Sequence, residues 1–156
     1  MIQRIQSLHL LIVTLLMGLM FLLPLATFIY EGEIFKLYAT GLKATGENVA
    51  YVASNISMTI LLALSTLLPF ITIFLFKRRL LQIRLCVMEL IFLAGMQIYI
   101  GIYLYRSWSI IKDSATDVMA FSFADVLPIA GIVFTILAMR GIIKDQALIK
   151  SLNRIR

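Results

Sequence analysis

The chain has 156 residues, of which 62% are hydrophobic and 14% charged, and its formal net charge is +6. Its mean hydropathy of +1.00 lies outside the range of soluble globular domains, which excludes a soluble fold. With one cysteine, Cys86, it cannot close an intrachain disulfide, and no Cys/His spacing is typical of a metal site. We therefore expect one compact membrane domain without a metal, cofactor or thiol redox chemistry.

Four apolar runs, at about residues 8–29, 56–76, 85–105 and 124–143, predict four transmembrane helices. A helix rises about 1.5 Å per residue and the hydrocarbon core is about 30 Å thick, so a span needs about 20 apolar residues. The first run exceeds the apolar core of a cleaved signal peptide, about 7–15 residues, and is interpreted as an uncleaved span. Pro24 predicts a kink close to the end of that span.

The first outer loop, about residues 30–55, contains short alternating stretches at 33–39 and 48–53, which flank a turn-rich segment. This pattern predicts a small outer β-hairpin. An isolated two-stranded hairpin is only marginally stable, so we expect it to rest on the helix ends or on the second outer loop.

The inner loop, about residues 77–84, is short, so the second and third spans must be antiparallel neighbours. The second outer loop, about residues 106–123, is mildly amphipathic and is expected along the membrane surface. In the tail, about residues 144–156, apolar residues spaced by four and three positions predict an interfacial helix. The predicted fold class is therefore all-α: a four-helix transmembrane bundle with a small outer β-hairpin-like segment and a C-terminal amphipathic interfacial helix.

Lysine and arginine are distributed unequally between the two sides of this bundle. Ten lie on the side of both termini: Arg4, Lys77, Arg78, Arg79, Arg84, Arg140, Lys144, Lys150, Arg154 and Arg156; four lie on the other side. Because basic loops resist translocation, both termini are predicted to be cytoplasmic. The charge thus indicates topology and not a nucleic-acid partner. Binding of lipid headgroups or of a partner is an additional use that we consider for seven of them: Lys77, Arg78, Arg79, Arg84, Lys150, Arg154 and Arg156.

Glu89 lies within the third predicted span, where an ionisable group is by default a candidate functional site. Candidate ion-pair partners are Arg84, Arg140 and His9, and Arg140 matches it best because it lies at the same depth on the fourth span. The alternative is that Glu89, about one turn into its helix, reaches headgroup water or a neighbouring basic residue and merely anchors the helix end. Gln97, about two turns deeper, is expected to make an interhelical hydrogen bond.

Small residues recur within the spans at helix-packing spacing. They are Thr14 and Gly18; Thr59, Ala63 and Thr66; Ala94 and Gly101 together with Gln97; and Gly131, Thr135 and Ala138. Small side chains let transmembrane backbones approach one another. We expect these positions to form the seams of one bundle, and a dimer interface is the alternative.

The chain offers one histidine, one cysteine and one carboxylate expected to be buried, and these match no recurring catalytic motif, so we do not expect an enzyme. The favoured function is a non-catalytic accessory, scaffold or assembly subunit. It would bind a membrane-protein partner, or another copy of itself, through its cytoplasmic ends or helix seams. The alternative is a small proton-coupled transporter that uses Glu89, although small four-helix multidrug transporters keep their glutamate in the first span.

Motifs at the two ends of the chain carry a resemblance to a known family. The opening Met1-Ile-Gln-Arg-Ile-Gln6, the Leu22-Leu-Pro-Leu-Ala26 segment and the ending Lys144-Asp-Gln-Ala-Leu-Ile-Lys-Ser-Leu-Asn-Arg-Ile-Arg156 resemble small four-span Bacteroidota membrane proteins grouped as a domain of unknown function, family 4293. The resemblance implies the inner membrane of a Gram-negative bacterium and supplies no activity, cofactor or catalytic residue. Its motifs would lie side by side at the cytoplasmic surface, which is where we expect a partner.

Overall fold

The computed structural model of the protein describes residues 2–30, 33–44, 51–76, 78–111 and 118–152. Within these residues, four helices and five strands follow one another. The elements are α1 Ile2–Met20, β1 Ala26–Tyr30, β2 Glu33–Tyr38, β3 Gly41–Ala44, β4 Tyr51–Ser54, α2 Ile56–Phe74, α3 Arg79–Ile111, β5 Val118–Phe121, a 3₁₀ turn Phe123–Val126, and α4 Leu127–Leu152. The predominantly helical fold is therefore confirmed.

The helices pack in the cyclic order α1-α2-α3-α4, because α1 and α3 each contact both α2 and α4. The short α2–α3 connection makes these two helices antiparallel neighbours, as predicted. The side chain of Gln6, near the start of α1, approaches Gly141 in the second half of α4. The start of α1 and the end of α4 thus share one end of the bundle, here called the basic end; the strands lie at the other, the sheet end.

Three helices are long and apolar enough to cross a membrane among the described residues: Ile56–Phe74, Arg79–Arg106 and Phe123–Ile149. The apolar part of α1, Ile5–Met20, is shorter. Large apolar side chains cover the outside of all four helices; Leu15, Ile91 and Ile98, for example, are each 64% exposed. An outer surface of this kind suits lipid and not water.

The first apolar run is not one helix. α1 ends at Met20, and β1, Ala26–Tyr30, takes up the last four residues of the run. The predicted kink at Pro24 is instead a stop, because proline lacks an N–H group and pushes Leu23 away from helical geometry. The β-branched and aromatic side chains of β1 then favour a strand. The predicted boundaries of the first span were therefore wrong at this end.

The sheet is larger than the predicted hairpin. It contains five strands in the order β4-β3-β2-β1-β5, with antiparallel neighbours throughout. The alternating stretch predicted at 33–39 is confirmed as β2, and the alternating stretch predicted at 48–53 overlaps β4. The segment predicted as a turn contains β3, which begins at Gly41 with φ 147°, a conformation that favours glycine. A two-residue turn, Ala39 and Thr40, joins β2 to β3.

The second outer loop and the tail also differ from their predictions. α3 continues through Ile111, and Val118–Phe121 form β5, which pairs with β1. The described part of this loop is therefore helix and strand, not a surface amphipathic segment. α4 runs unbroken to Leu152, so the predicted interfacial helix is a direct extension of the fourth span. No proline interrupts this extension, and a continuous helix satisfies each backbone group in turn.

Candidate functional site

The apolar core of the bundle consists of two clusters. The larger one, the sheet-side core, includes Val13, Met17, Met20, Met58, Leu62, Leu93, Met96, Ile100 and Leu127. The smaller one, the basic-end core, consists of Leu10, Cys86, Ala138 and Ile142. On α3 the two clusters are separated by Glu89, which lies between Cys86 and Leu93.

The position of Glu89 along the axis of the bundle follows from the contacts of its neighbours. Leu93 on α3 would lie 3.4 Å from a Cβ added to Gly131 on α4. One turn towards the basic end on these antiparallel helices leads to Glu89 and to Thr135. Ser65 on α2 lies between the same two clusters. These three side chains are 1%, 0% and 0% exposed, respectively, and are here called the polar layer.

Two members of the polar layer have side-chain oxygens without a hydrogen-bond partner in the part of the chain that the structure describes. Thr135 donates a hydrogen bond of 2.8 Å to the carbonyl of Gly131. Both carboxyl oxygens of Glu89 and the hydroxyl of Ser65 are buried without a hydrogen-bond partner among the described residues. Glu89 therefore does not reach headgroup water, and its interpretation as an interfacial anchor is wrong.

The predicted partners of Glu89 do not meet it. Arg84 and Arg140 are both exposed on the outside of their helices, and the ion pair with Arg140 is not formed. His9 stacks on Phe134, with the ring centroids 6.0 Å apart, and its Nδ1 is buried without a partner in the described structure. A carboxyl group without a counter-charge is costly in a low-dielectric interior, which makes Glu89 a conspicuous site in this bundle.

The small-residue positions on α4 and on α3 differ in burial. Gly131, Thr135 and Ala138 are buried between helices, so they form a seam as predicted. Ala94 and Gly101 are instead exposed on the outer face of α3, and a Cβ added to Gly101 would meet nothing within 4 Å. The expectation that this stripe is an internal seam is therefore wrong.

Gln97 borders the exposed stripe on α3. Its side chain is half-buried, and its Oε1 is buried without a hydrogen-bond partner among the described residues. The predicted interhelical hydrogen bond is thus not made to another helix of this bundle. An amide in this position can still bond to a polar group on a helix that packs from outside.

A second polar group of residues lies at the basic end. Arg79 Nη1 lies 3.9 Å from an Asp145 carboxyl oxygen. Gln82 donates a hydrogen bond of 3.0 Å to the carbonyl of Thr72, in the last turn of α2. Gln6, which is 8% exposed, has a buried Nε2 without a partner in the described structure.

Sequence reasoning missed Gln6, Gln82 and Asp145 at this end. Gln82 shares the spacing of three and four residues that places Cys86 and Glu89 inside the bundle, and that spacing was a usable signal. The predicted headgroup-binding residues Arg78 and Arg84 are exposed on the surface. Four others of that group lie outside the described side chains: Lys77, Lys150, Arg154 and Arg156.

Within the described residues, no group of three or more His, Cys, Asp or Glu side chains is arranged to hold a metal ion. Among curated proteins, no sequence matches this chain. A family described as a domain of unknown function, DUF4293, matches residues 2–155, which agrees with the resemblance carried by the two ends. The chain, with its helical bundle and polar layer, is therefore a member of the DUF4293 family.

Proposed function

We propose that this protein is a four-span inner-membrane protein of a Gram-negative bacterium that acts as a non-catalytic accessory or assembly subunit. Its binding surface is the outer face of α3, and its partner is a transmembrane helix of another membrane protein or of a second copy. The observation that carries the proposal is the exposed stripe of small residues on α3.

The fourth span in this proposal is α1. Its 19 residues extend about 28 Å at 1.5 Å per residue, close to the hydrocarbon thickness of about 30 Å. Its packing against α2 and α4 supports the same depth as those helices. The ten basic residues of the basic end, against four on the other side, support cytoplasmic termini and an outer sheet.

The outer face of α3 resembles a helix seam that lacks its second helix. Ala94, Gly95 and Gly101 are exposed, and a Cβ added to either glycine would meet nothing within 4 Å. Ile91 and Ile98 project from the same face. In lipid there is little hydrophobic drive between helices, so close backbone approach at small residues and interhelical hydrogen bonds stabilise association. Gln97, at the edge of the stripe, supplies a polar group for such a bond.

Gly101→Leu tests the stripe. The added side chain has open space in this bundle, so the fold is expected to persist, while a partner helix is expected to be held away. Gly18→Leu is the matched control, because Gly18 is also helical and open, but lies on α1. After crosslinking in native membranes, we expect a complex for the wild type and for Gly18→Leu, and its loss for Gly101→Leu.

Differently tagged copies of the chain distinguish a homo-oligomer from a complex with another protein. If the two tagged copies purify together, the partner is a second copy of the chain. If a different protein is crosslinked, that protein is tagged and purified in turn; recovery of this chain with it would identify it as the partner. Recovery of only a free monomer from wild-type membranes would contradict the accessory function.

A second function, proton-coupled transport, is favoured by Glu89. A buried carboxyl without a partner could exchange a proton for a cationic substrate, since intramembrane ionisable residues commonly belong to proton relays. Glu89→Gln keeps the shape of the side chain and removes its charge. Reconstituted vesicles with an imposed proton gradient are expected to accumulate a cationic dye with the wild type and not with this variant; equal uptake by both would reject the idea.

A further inference from the structure

The polar layer places oxygen-bearing side chains of three helices at one level of the bundle. Gln82 on α3 donates a hydrogen bond of 3.0 Å to the carbonyl of Thr72 on α2. Towards the sheet end, Glu89 lies about two turns beyond Gln82, and Ser65 lies about two turns before Thr72. Because the two helices are antiparallel, Ser65 and Glu89 are level with each other, as Glu89 is with Thr135 on α4.

This level also contains a backbone oxygen that lacks its helical donor. Pro69 lies inside α2 and is buried. Since proline has no N–H, it leaves the carbonyl of Ser65, four residues earlier, without the usual helical hydrogen bond. Thr135 donates its hydroxyl proton to Gly131 and keeps lone pairs as acceptors. Carboxyl, hydroxyl and carbonyl oxygens therefore occur together in the polar layer.

The helices around Glu89 bring no positive charge to it among the described residues. Ser65 and Thr135 are neutral, and the buried side chains of α1 at this level are apolar. Arg84 and Arg140 are exposed on the outside of their helices. A carboxylate in a low-dielectric interior is costly unless a cation lies beside it, so a bound cation would supply what the protein does not.

The chemistry of the oxygens indicates which cation fits. Hard cations prefer oxygen ligands, and in membrane transporters carbonyls released from helical bonding coordinate Na⁺. One carboxylate balances one positive charge, whereas the described residues hold no cluster of His, Cys, Asp and Glu for a metal ion of higher charge. The expectation from sequence that no metal binds depended on Cys/His spacing, which a sodium site does not use.

The packing on either side of the polar layer favours a small ion that enters from the basic end. On the sheet side, Leu93 would lie 3.4 Å from a Cβ added to Gly131, so α3 and α4 are close together there. On the other side, Leu10 and Gln82 help to line a cavity of about 300 Å³. Leu10 belongs to the basic-end core, and this small cluster lies between the cavity and Glu89.

We infer that the polar layer binds a dehydrated sodium ion, coordinated by oxygens of Glu89, Ser65 and Thr135, and that the carboxyl takes up a proton when the ion leaves. The inference rests on the same carboxyl as the proton-coupled transport considered above. It requires binding only, so it can be tested without transport.

The test compares the full chain in neutral detergent in sodium, potassium and choline chloride at equal concentration. A ligand that binds the folded state stabilises it by mass action, so the midpoint of thermal unfolding is expected to rise with sodium and not with choline, and less with potassium. Dicyclohexylcarbodiimide, which reacts with protonated carboxyl groups in apolar surroundings, gives a second measurement. Sodium is expected to slow labelling of the peptide that contains Glu89. Equal unfolding and equal labelling in the three salts would overturn the proposal.

Ser65→Ala separates binding from structure. It removes a buried hydroxyl without a partner in the described structure, so a purely structural role predicts equal or higher stability and an unchanged sodium effect. The proposed site predicts that at least about tenfold more sodium is needed, since even residues that only orient a metal ligand contribute about 10–100-fold to affinity. Thr66→Ala is the matched control, because Thr66 donates to the carbonyl of Leu62 in its own helix. Equal sodium effects in the two variants would overturn the proposal.

Glu89→Gln distinguishes this inference from the transport function. The variant is expected to lose both the rise in unfolding temperature with sodium and the labelling. If it abolishes dye uptake while sodium neither stabilises nor protects the wild type, transport stands and the sodium site is wrong. If sodium stabilises and protects the wild type while both proteins take up dye equally, the sodium site stands and transport is rejected.

Discussion

Glu89 occupies a position that packing alone would fill with an apolar side chain. It lies between Cys86 and Leu93 on the buried face of α3, and both of its oxygens lack partners among the described residues. A buried carboxyl of this kind costs free energy of folding. Its presence is therefore not explained by a contribution to stability.

Replacing Glu89 by methionine is expected to stabilise the protein. The substitution keeps a flexible side chain of similar length and removes an unsatisfied buried polar group, which should raise the free energy of unfolding by about 1–3 kcal/mol. Thermal unfolding in detergent measures the change, and Leu93→Ala, which opens a cavity in the sheet-side core, is the destabilising control. A fall in stability for Glu89→Met would show that the carboxyl has a stabilising partner.

At the scale of elements, α1 and α4 pack closely where Gly141 faces Gln6. A Cβ at position 141 would lie 2.8 Å from Gln6 Cγ, which is closer than real Cβ contacts. Glycine at this position therefore serves helix packing and not backbone conformation, because a larger residue would require the Gln6 side chain to shift. The sequence pattern did not reveal this, because the small-residue stripes that we recognised lie elsewhere on α4.

Gly141→Ala is expected to destabilise the α1–α4 contact by about 1–3 kcal/mol, as is usual for overpacking. Gln6→Ala should remove the clash, so the double variant is expected to regain most of the lost stability, with a coupling energy of about 0.5–3 kcal/mol. Gly101→Ala is the control, since open space surrounds it and alanine favours a helix over glycine by about 1 kcal/mol. If the effects of Gly141→Ala and Gln6→Ala on the free energy of unfolding, measured by thermal unfolding, simply add in the double variant, the contact between the two residues is contradicted.

Apolar runs predicted the helices well and their ends poorly. α2 matches its run because Asn55 and the polar residues after Phe76 bound it. β1 was missed because its residues are as apolar as those of α1, and hydropathy does not distinguish a strand from a span over five residues. The polar layer was predicted in part, because Glu89 was recognised from its charge. How deeply Glu89 is buried, and whether Arg140 is exposed, depend on the rotation of each helix about its axis, which the sequence does not determine.

At the scale of the whole molecule, the sheet connects segments that are distant in the chain. β1 follows α1, β5 follows α3, and the two strands pair along four residues. Hydrogen bonds to backbone carbonyls at the sheet end add to this connection: the Thr59 hydroxyl donates to the carbonyl of Ala39, and the Ser122 N–H donates to the carbonyl of Leu25. The helix ends are thereby held in one arrangement.

A disulfide can test this arrangement and the side of the membrane together. Thr27 and Ala120 are directly opposed in β1 and β5, at a separation that suits a disulfide between antiparallel strands. In a Cys86→Ala background, Thr27→Cys with Ala120→Cys is expected to crosslink spontaneously if the sheet faces the oxidising periplasm. Non-reducing gel mobility measures it.

Lys43→Cys with Ala120→Cys is the control for that experiment, because β3 is three strands from β5 in the sheet, about 14 Å away at the usual strand spacing. This pair should stay reduced. If oxidant added to isolated membranes is needed to crosslink the first pair, the sheet is confirmed and the outer orientation is wrong; failure even with oxidant would contradict the β1–β5 pairing.

The pairing of β1 with β5 also imposes an order on biosynthesis. Ile29 is opposite Val118, so after β1 leaves the ribosome about 90 further residues must be made before its partner exists. At about 5–20 residues per second, that interval lasts about 5–18 s. During this time one edge of β1 offers its backbone groups to any extended chain nearby, an aggregation hazard at an unprotected strand edge. The last pair of helices to be inserted therefore closes the sheet, and a chain truncated before β5 is expected to need a chaperone on the side of the membrane where the sheet lies.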